Sequence, residues 1–174
     1  GNIGTAQGLQ ILPETAELLK DENVRFVIVG DGRYLEEFKK DIQNHGVTEK
    51  FTMIPRQPAE RIPEILAACD AAFLSFQDDE LWSKTIPAKL QSYMACGMPV
   101  FASARGETVR VIGEAECGLC SEIGDAEGLA ENIRAMKEMP LLKVNDMRNN
   151  ARNYCEKYFE KKILMDEMDK YFIQ

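Results

Sequence analysis

Two lysines flank a proline in the run Lys84-Thr85-Ile86-Pro87-Ala88-Lys89-Leu90-Gln91-Ser92, which continues to Gly97 and reopens at Pro99. Proline suits the first position of a helix, where its fixed φ fits and its missing N–H would be unpaired anyway, and glycine suits the position just past the end. The pattern predicts a helix over 88–97, entered through Pro87, with the amides of Ala88 and Lys89 pointing out of its first turn. Free amides, the positive end of the helix dipole and the ammonium groups of Lys84 and Lys89 together suit a pyrophosphate. Taken alone, the same residues also describe a well-capped helix with solvated lysines.

Other segments carry weaker signals. Gly30-Asp31-Gly32 follows an apolar run, where glycines allow a tight turn or the close approach of a ligand. Gly1-Asn2-Ile3-Gly4-Thr5-Ala6-Gln7-Gly8 reads as a small-residue turn feeding a helix start. Glu107 follows Gly106 at another expected helix start, where a carboxylate complements the dipole. Cys117 and Cys120 have C-x-x-C spacing but fall on an expected strand with no second such pair, which favours a structural role. Asp78-Asp79-Glu80 reads as a solvated loop, His45 as a turn residue after a helix, and no metal site is expected.

Positioning these groups requires elements of two periods. Short apolar runs at 24–30, 51–55, 71–76 and 99–103, with a weaker one at 118–122, have the length of strands buried on both faces. Helical patterns lie at about 6–19, 33–44, 59–68, 88–97, 105–116, 125–136, 143–158 and 160–172. Alternation of the two through most of the chain predicts an α/β fold, a Rossmann-like doubly wound parallel sheet with helices on both faces. In such sheets ligands sit at the carboxyl ends of the strands, where the turns above lie. A glycine turn feeding a helix normally follows a strand, so a strand is expected just upstream of Gly1, in a longer protein.

The 174 residues, 45% hydrophobic, suffice for one domain with its own core. A formal net charge of −8 argues against a nucleic-acid partner. No apolar run reaches membrane-span length and the start lacks signal-peptide character, pointing to a cytoplasmic protein. Five cysteines, an odd number, fit reduced thiols, and a single histidine rules out chemistry needing a His pair within this chain.

The segment from Pro87 to Ser103 (PAKLQSYMACGMPVFAS), then Gly106-Glu107, Glu116-Cys117-Gly118-Leu119 and Gly124-Asp125 with Leu129-Ala130, resembles the carboxyl-terminal half of a GT-B glycosyltransferase. It is most similar to glycosyltransferase family 4 (group 1), retaining transferases of bacterial polysaccharide and lipid-linked glycan assembly. GNIGTAQGL resembles that family's glycine-rich helix start, and VIVGDGRYLEEF its strand–GDG–helix element. The resemblance covers essentially the whole chain.

It implies one donor-binding domain over 1–174, facing an absent amino-terminal acceptor domain, with 159–174 a helix crossing toward that domain. The donor is a nucleotide-diphosphate-sugar, UDP-linked by preference, and no further cofactor is implied. The hexose or modified hexosamine passes to a lipid-linked or saccharide acceptor, in a full-length protein able to sit at the inner face of the membrane. The resemblance places the base near Arg56 and the diphosphate over Thr85, Ile86, Pro87, Ala88 and Lys89. Ser92 would contact ribose or sugar, Glu107 the sugar, and Gly4, Gln7, Gly30 and Gly32 the remaining donor surface. Lys84 and Lys89 are the catalytic candidates, stabilising the departing diphosphate. The isolated chain is expected to bind donor without efficient turnover.

Two departures from the family pattern stand out. Many members carry two glutamates where this chain has Lys84 and Ser92, and a basic pair where it has Asn2 and Gln7. Either a subgroup uses Lys84 or Lys89 for positive charge, or donor binding has weakened toward a pure binding or interaction module.

Overall fold

The computed structural model describes residues 1–172. Its strands are β1 (Phe26–Val29), β2 (Phe51–Ile54), β3 (Ala72–Ser75), β4 (Val100–Ser103) and β5 (Gly118–Ser121). All five fall within the apolar runs, trimmed at their ends, and the weak run at 118–122 is a full strand. The helices are α1 (Ile11–Leu18), α2 (Leu35–Asn44), α3 (Ile62–Ala67), α4 (Glu80–Ser83), α5 (Ala88–Ala95), α6 (Glu107–Ala115), α7 (Ala126–Glu138), α8 (Leu141–Tyr158) and α9 (Lys161–Phe172). Of the expected crossing segment 159–174, residues 173 and 174 lie outside the described residues.

Every strand pairing is parallel, as continuous apolar runs covered by crossover helices require. Hydrogen bonding divides the strands into a pair, β1–β2, and a triplet, β3–β4–β5. Parallel strands with covering helices bear out the expected Rossmann-like α/β fold. Residues 1–8 tie the two parts together at their carboxyl ends. Asn2 bridges Asp31 just past β1, the Ser75 hydroxyl at the end of β3 donates to Gln7 O at 2.6 Å, and Gln77 N donates to Ala6 O at 3.1 Å.

The core has two halves. On one side Leu12, Ala16 and Leu19 meet Phe38, Ile42, Leu129 and Ile133 of α2 and α7. On the other, Leu90, Met94, Val111, Ile112 and Ala151 of α5, α6 and α8 cover Leu74, Val100 and Ala102. Phe73 and Phe101 reach the first half from β3 and β4, so these two strands are apolar on both faces. The strands therefore lack the in–out alternation of a half-exposed sheet.

Two expected helices differ in detail, and one helix was not expected. The 6–19 pattern is broken by Gly8, whose φ of 61° ends a 3-10 turn over Thr5–Gln7 before α1 begins at Ile11. The 59–68 pattern is a 3-10 turn, Ala59–Arg61, running into α3. Helix α4 falls in a stretch read as loop. His45 does cap α2, and its Nδ1 meets Glu17 at 2.7 Å.

Thr108, in the first turn of α6, is fully buried and its hydroxyl has no hydrogen-bond partner among the described residues. An unsatisfied buried hydroxyl costs about 1–3 kcal/mol. Thr108→Val keeps the shape and removes the polar atom, and is expected to raise stability by about 1 kcal/mol, or roughly 2–4 °C in Tm by calorimetry. A lower Tm for this variant means that the hydroxyl is satisfied in solution.

Candidate functional site

Helix α5 starts one residue later than its proline suggests. Pro87 is the N-cap, with an extended ψ of 143°, rather than the first helical residue. Its carbonyl accepts from Leu90 N at 3.0 Å and more weakly from Gln91 N at 3.4 Å. The amides of Ala88 and Lys89 have no acceptor among the described residues. They are the free donors of a helix start, pointing past the carboxyl ends of the strands.

Lys89 reaches across this opening. A Cβ placed on Gly1 would stand 3.4 Å from Lys89 Nζ, so the ammonium lies beside Gly1, whose backbone abuts Gly30 just past β1. Lys89 makes no ion pair among the described residues, and burial pushes its pKa below the ordinary lysine value. Lys89 and Arg56 both act electrostatically on the position of Gly1. Arg56, exposed just after β2, also makes no ion pair among the described residues. Two cations without ion pairs among the described residues thus lie near Gly1, one of them on the helix start with its free amides, in a chain of net charge −8. An unneutralised cation held half-buried is the arrangement an anionic ligand stabilises.

The other candidates are engaged in local structure. Lys84 is exposed and pairs with Glu80 Oε1 at 2.5 Å, one helical turn back. Thr85 Oγ1 donates to Trp82 O at 3.3 Å and Ser92 Oγ to Ala88 O at 2.9 Å. Ile86 packs against the core. The Glu107 carboxylate accepts from Arg110 at 2.7 Å, and those bonds hold its pKa below the usual carboxylate range. Gln7 Oε1 accepts from Gly4 N at 2.9 Å and Asn2 Nδ2 at 3.2 Å, closing the first turn on itself.

Gly30 and Gly32 are required by the chain itself. A Cβ on Gly30 would lie 1.8 Å from Gly1 O, and one on Gly32 2.1 Å from Ile3 O. Backbone therefore occupies the side of these glycines that the sequence left open to a ligand.

Helix α4 lies across the ends of β3 and β4 as a strap, a feature the sequence reading missed. Asp79 Oδ1 caps it through Leu81 N at 2.8 Å, Trp82 stacks on Phe76 with centroids 5.2 Å apart, and Arg105 pairs with Asp78 at 2.6 Å. Asp78, Asp79 and Glu80 are solvated, as expected, but Asp79 and Glu80 open a short helix rather than continue a loop. The Asp-Glu-Leu-Trp order, an N-cap before an acidic first turn, was the available signal.

Comparison with known proteins decides the family. The model for glycosyl transferases group 1 matches residues 1–154. The chain belongs to that family.

Among relatives of this group 1 chain, the putative colanic acid biosynthesis glycosyl transferase WcaI of Escherichia coli K12 is 30% identical over 168 residues, 95% of this chain and 40% of that protein. The probable glycosyltransferase WbjE of Pseudomonas aeruginosa is 26% identical over 163 residues, 90% of this chain and 40% of that protein. The chain therefore spans about 40% of the length of these curated relatives. Among solved structures, Anabaena HepE in complex with UDP-glucose superposes with a TM-score of 0.85 at 20% identity, covering 99% of this chain and 46% of that one. That likeness confirms the Rossmann-like α/β fold.

Proposed function

We propose that this group 1 chain is the carboxyl-terminal donor half of a retaining family 4 glycosyltransferase. In the full-length protein, α9 would cross toward an amino-terminal acceptor domain. The donor is a UDP-linked hexose or modified hexosamine, and the acceptor a saccharide or lipid-linked sugar of bacterial glycan assembly. The observation that carries this reading is the convergence of the free Ala88 and Lys89 amides with unpaired Lys89 and Arg56. Relatives named as transferases and a fold shared with a UDP-glucose complex support it.

As the bond from the sugar to the diphosphate breaks, negative charge builds on the leaving phosphate oxygens. Fixed amides and a half-desolvated ammonium, already oriented, stabilise that charge more than they stabilise the bound donor. Lys89 and the helix start carry the electrostatic work, and Arg56 holds the nucleotide end. Lys84 contributes from solvent, after release from Glu80. No residue of the site is placed as a general acid or base, so the isolated chain binds donor without efficient transfer.

Thermal unfolding with UDP, GDP, dTDP and ADP tests this. A ligand at 100 times its Kd adds about 2.7 kcal/mol, or roughly 5–10 °C at this size. UDP is expected to produce that shift and the others much less. Lys84→Ala should weaken UDP binding less than about threefold, because an exposed ion-paired lysine contributes little. A loss through Lys84 as large as that through Lys89 would move the catalytic charge to Lys84.

A second reading, a binding module that has lost donor turnover, draws on the Glu80 pairing of Lys84 and the back-bonded Ser92 hydroxyl. It predicts no shift with any nucleotide.

A further inference from the structure

A second depression borders the first turn, and Lys89 is not among its lining residues. It has a volume of about 360 Å³ and is lined by Asn2, Gly4 and Thr5 of the turn and by Arg33, Tyr34 and Glu37 at the start of α2. Buried Tyr34 forms its floor, with its hydroxyl already given to Asp41 at 2.6 Å and its amide to Ile3 O at 3.1 Å. The floor is therefore rigid and satisfied. The walls are not. Arg33 and Glu37 are exposed and make no ion pair or side-chain hydrogen bond among the described residues, and Thr5 Oγ1 has no partner there either. The Asn2 amide gives one N–H to Gln7 and keeps its oxygen free.

The volume is at the small end of ligand pockets, about 300–1,000 Å³, which suits one monosaccharide unit. A guanidinium fork matches a carboxylate in two parallel hydrogen bonds. A carboxylate, an amide oxygen and a hydroxyl match sugar hydroxyls. Because Arg33 and Glu37 are of opposite sign, an acidic sugar enters one way round: its acid on Arg33, its hydroxyls toward Glu37, Asn2 and Thr5. A neutral sugar leaves Arg33 unanswered, and a simple anion leaves Glu37 repelling it.

We infer that this depression is a subsite for a pyranose bearing a carboxylate, held by Arg33 and oriented by Glu37. Taking that sugar as part of the acceptor rests on the transferase reading above; the binding itself does not.

Amide-resolved NMR titration of the whole chain tests the inference, with glucuronate as probe, glucose as its neutral counterpart and acetate as the charge alone. Glucuronate is expected to shift Gly4, Thr5, Arg33 and Tyr34 and to bind roughly tenfold more tightly than glucose or acetate. Arg33→Met should abolish the preference for glucuronate over glucose, and Glu37→Gln should narrow the preference over acetate. UDP, titrated separately, should shift Ala88 and Lys89 instead, so that either site can fail without the other. Equal response to acetate and glucuronate, no response at the turn, or glucuronate shifts confined to Ala88 and Lys89 would each overturn the subsite. Should Arg33→Met fold poorly, the wild-type selectivity and Glu37→Gln still decide.

Discussion

Lys89→Met is expected to lower UDP affinity about 10- to 100-fold while leaving the unliganded protein as stable as the wild type, or more so. The two effects have one cause. Lys89 is half-buried without a carboxylate, so its charged form is disfavoured and its pKa falls below the ordinary value. Replacing the ammonium with a thioether of similar length keeps the packing and removes the desolvation cost. A bound diphosphate would lose one charge-assisted contact, about 1.5–3 kcal/mol. Isothermal calorimetry and thermal unfolding of the same preparation read both quantities. Unchanged affinity would remove Lys89 from the donor site, and a Tm several degrees lower would make it a structural residue.

The pH dependence follows with a definite sign. Between the depressed folded pKa of Lys89 and its unfolded value, the unfolded chain binds more protons than the folded one. Stability from this group therefore rises with pH across that window, and the cost of the buried charge is fully present below it. Wild type minus Lys89→Met, measured by denaturant unfolding, should show this rise on the alkaline side. Bound UDP should shrink it, because the phosphates restore the charged form.

Gly106→Ala is expected to be strongly destabilising. Gly106 has φ 68° and ψ −134°, a region essentially closed to other residues, and a Cβ there would lie 2.0 Å from Ser83 O. Either the strap lifts or the β4–α6 turn deforms, at a cost of about 3 kcal/mol or more, equivalent to roughly 6–12 °C in Tm. Trp82 is the single tryptophan and stacks on Phe76 within the strap, so its fluorescence reports the outcome. A lifted strap gives red-shifted emission from still-folded protein, with UDP affinity falling less than in Lys89→Met. An unchanged Tm and emission would show that the strap is not held at Gly106.

Each strand was legible because its signal is local: a run such as Val24 to Gly30 is apolar whichever neighbour it pairs with. The helix start at Pro87 was legible for the same reason, since proline, two following amides and a closing glycine act within one or two turns. Register at the cap was less so, because Pro87 suits both the N-cap and the first helical position, and only the observed ψ separates them.

Partners distant in sequence were hidden. Gly30 and Gly32 carry the composition of a ligand-facing turn, but the backbone of Gly1 and Ile3 fills that space. Lys84 and Lys89 look equivalent in the chain, yet the short strap turns one toward Glu80 and solvent while α5 buries the other beside Gly1. The parallel α/β class, the anion-ready helix start and the family resemblance are all carried by short-range patterns along the chain. Which lysine stays unpaired, what the glycines face and the cavity that Arg33 shares with the first turn arise from folding. Burial and charge pairing are properties of groups brought together in space, and spacing along the chain does not encode them.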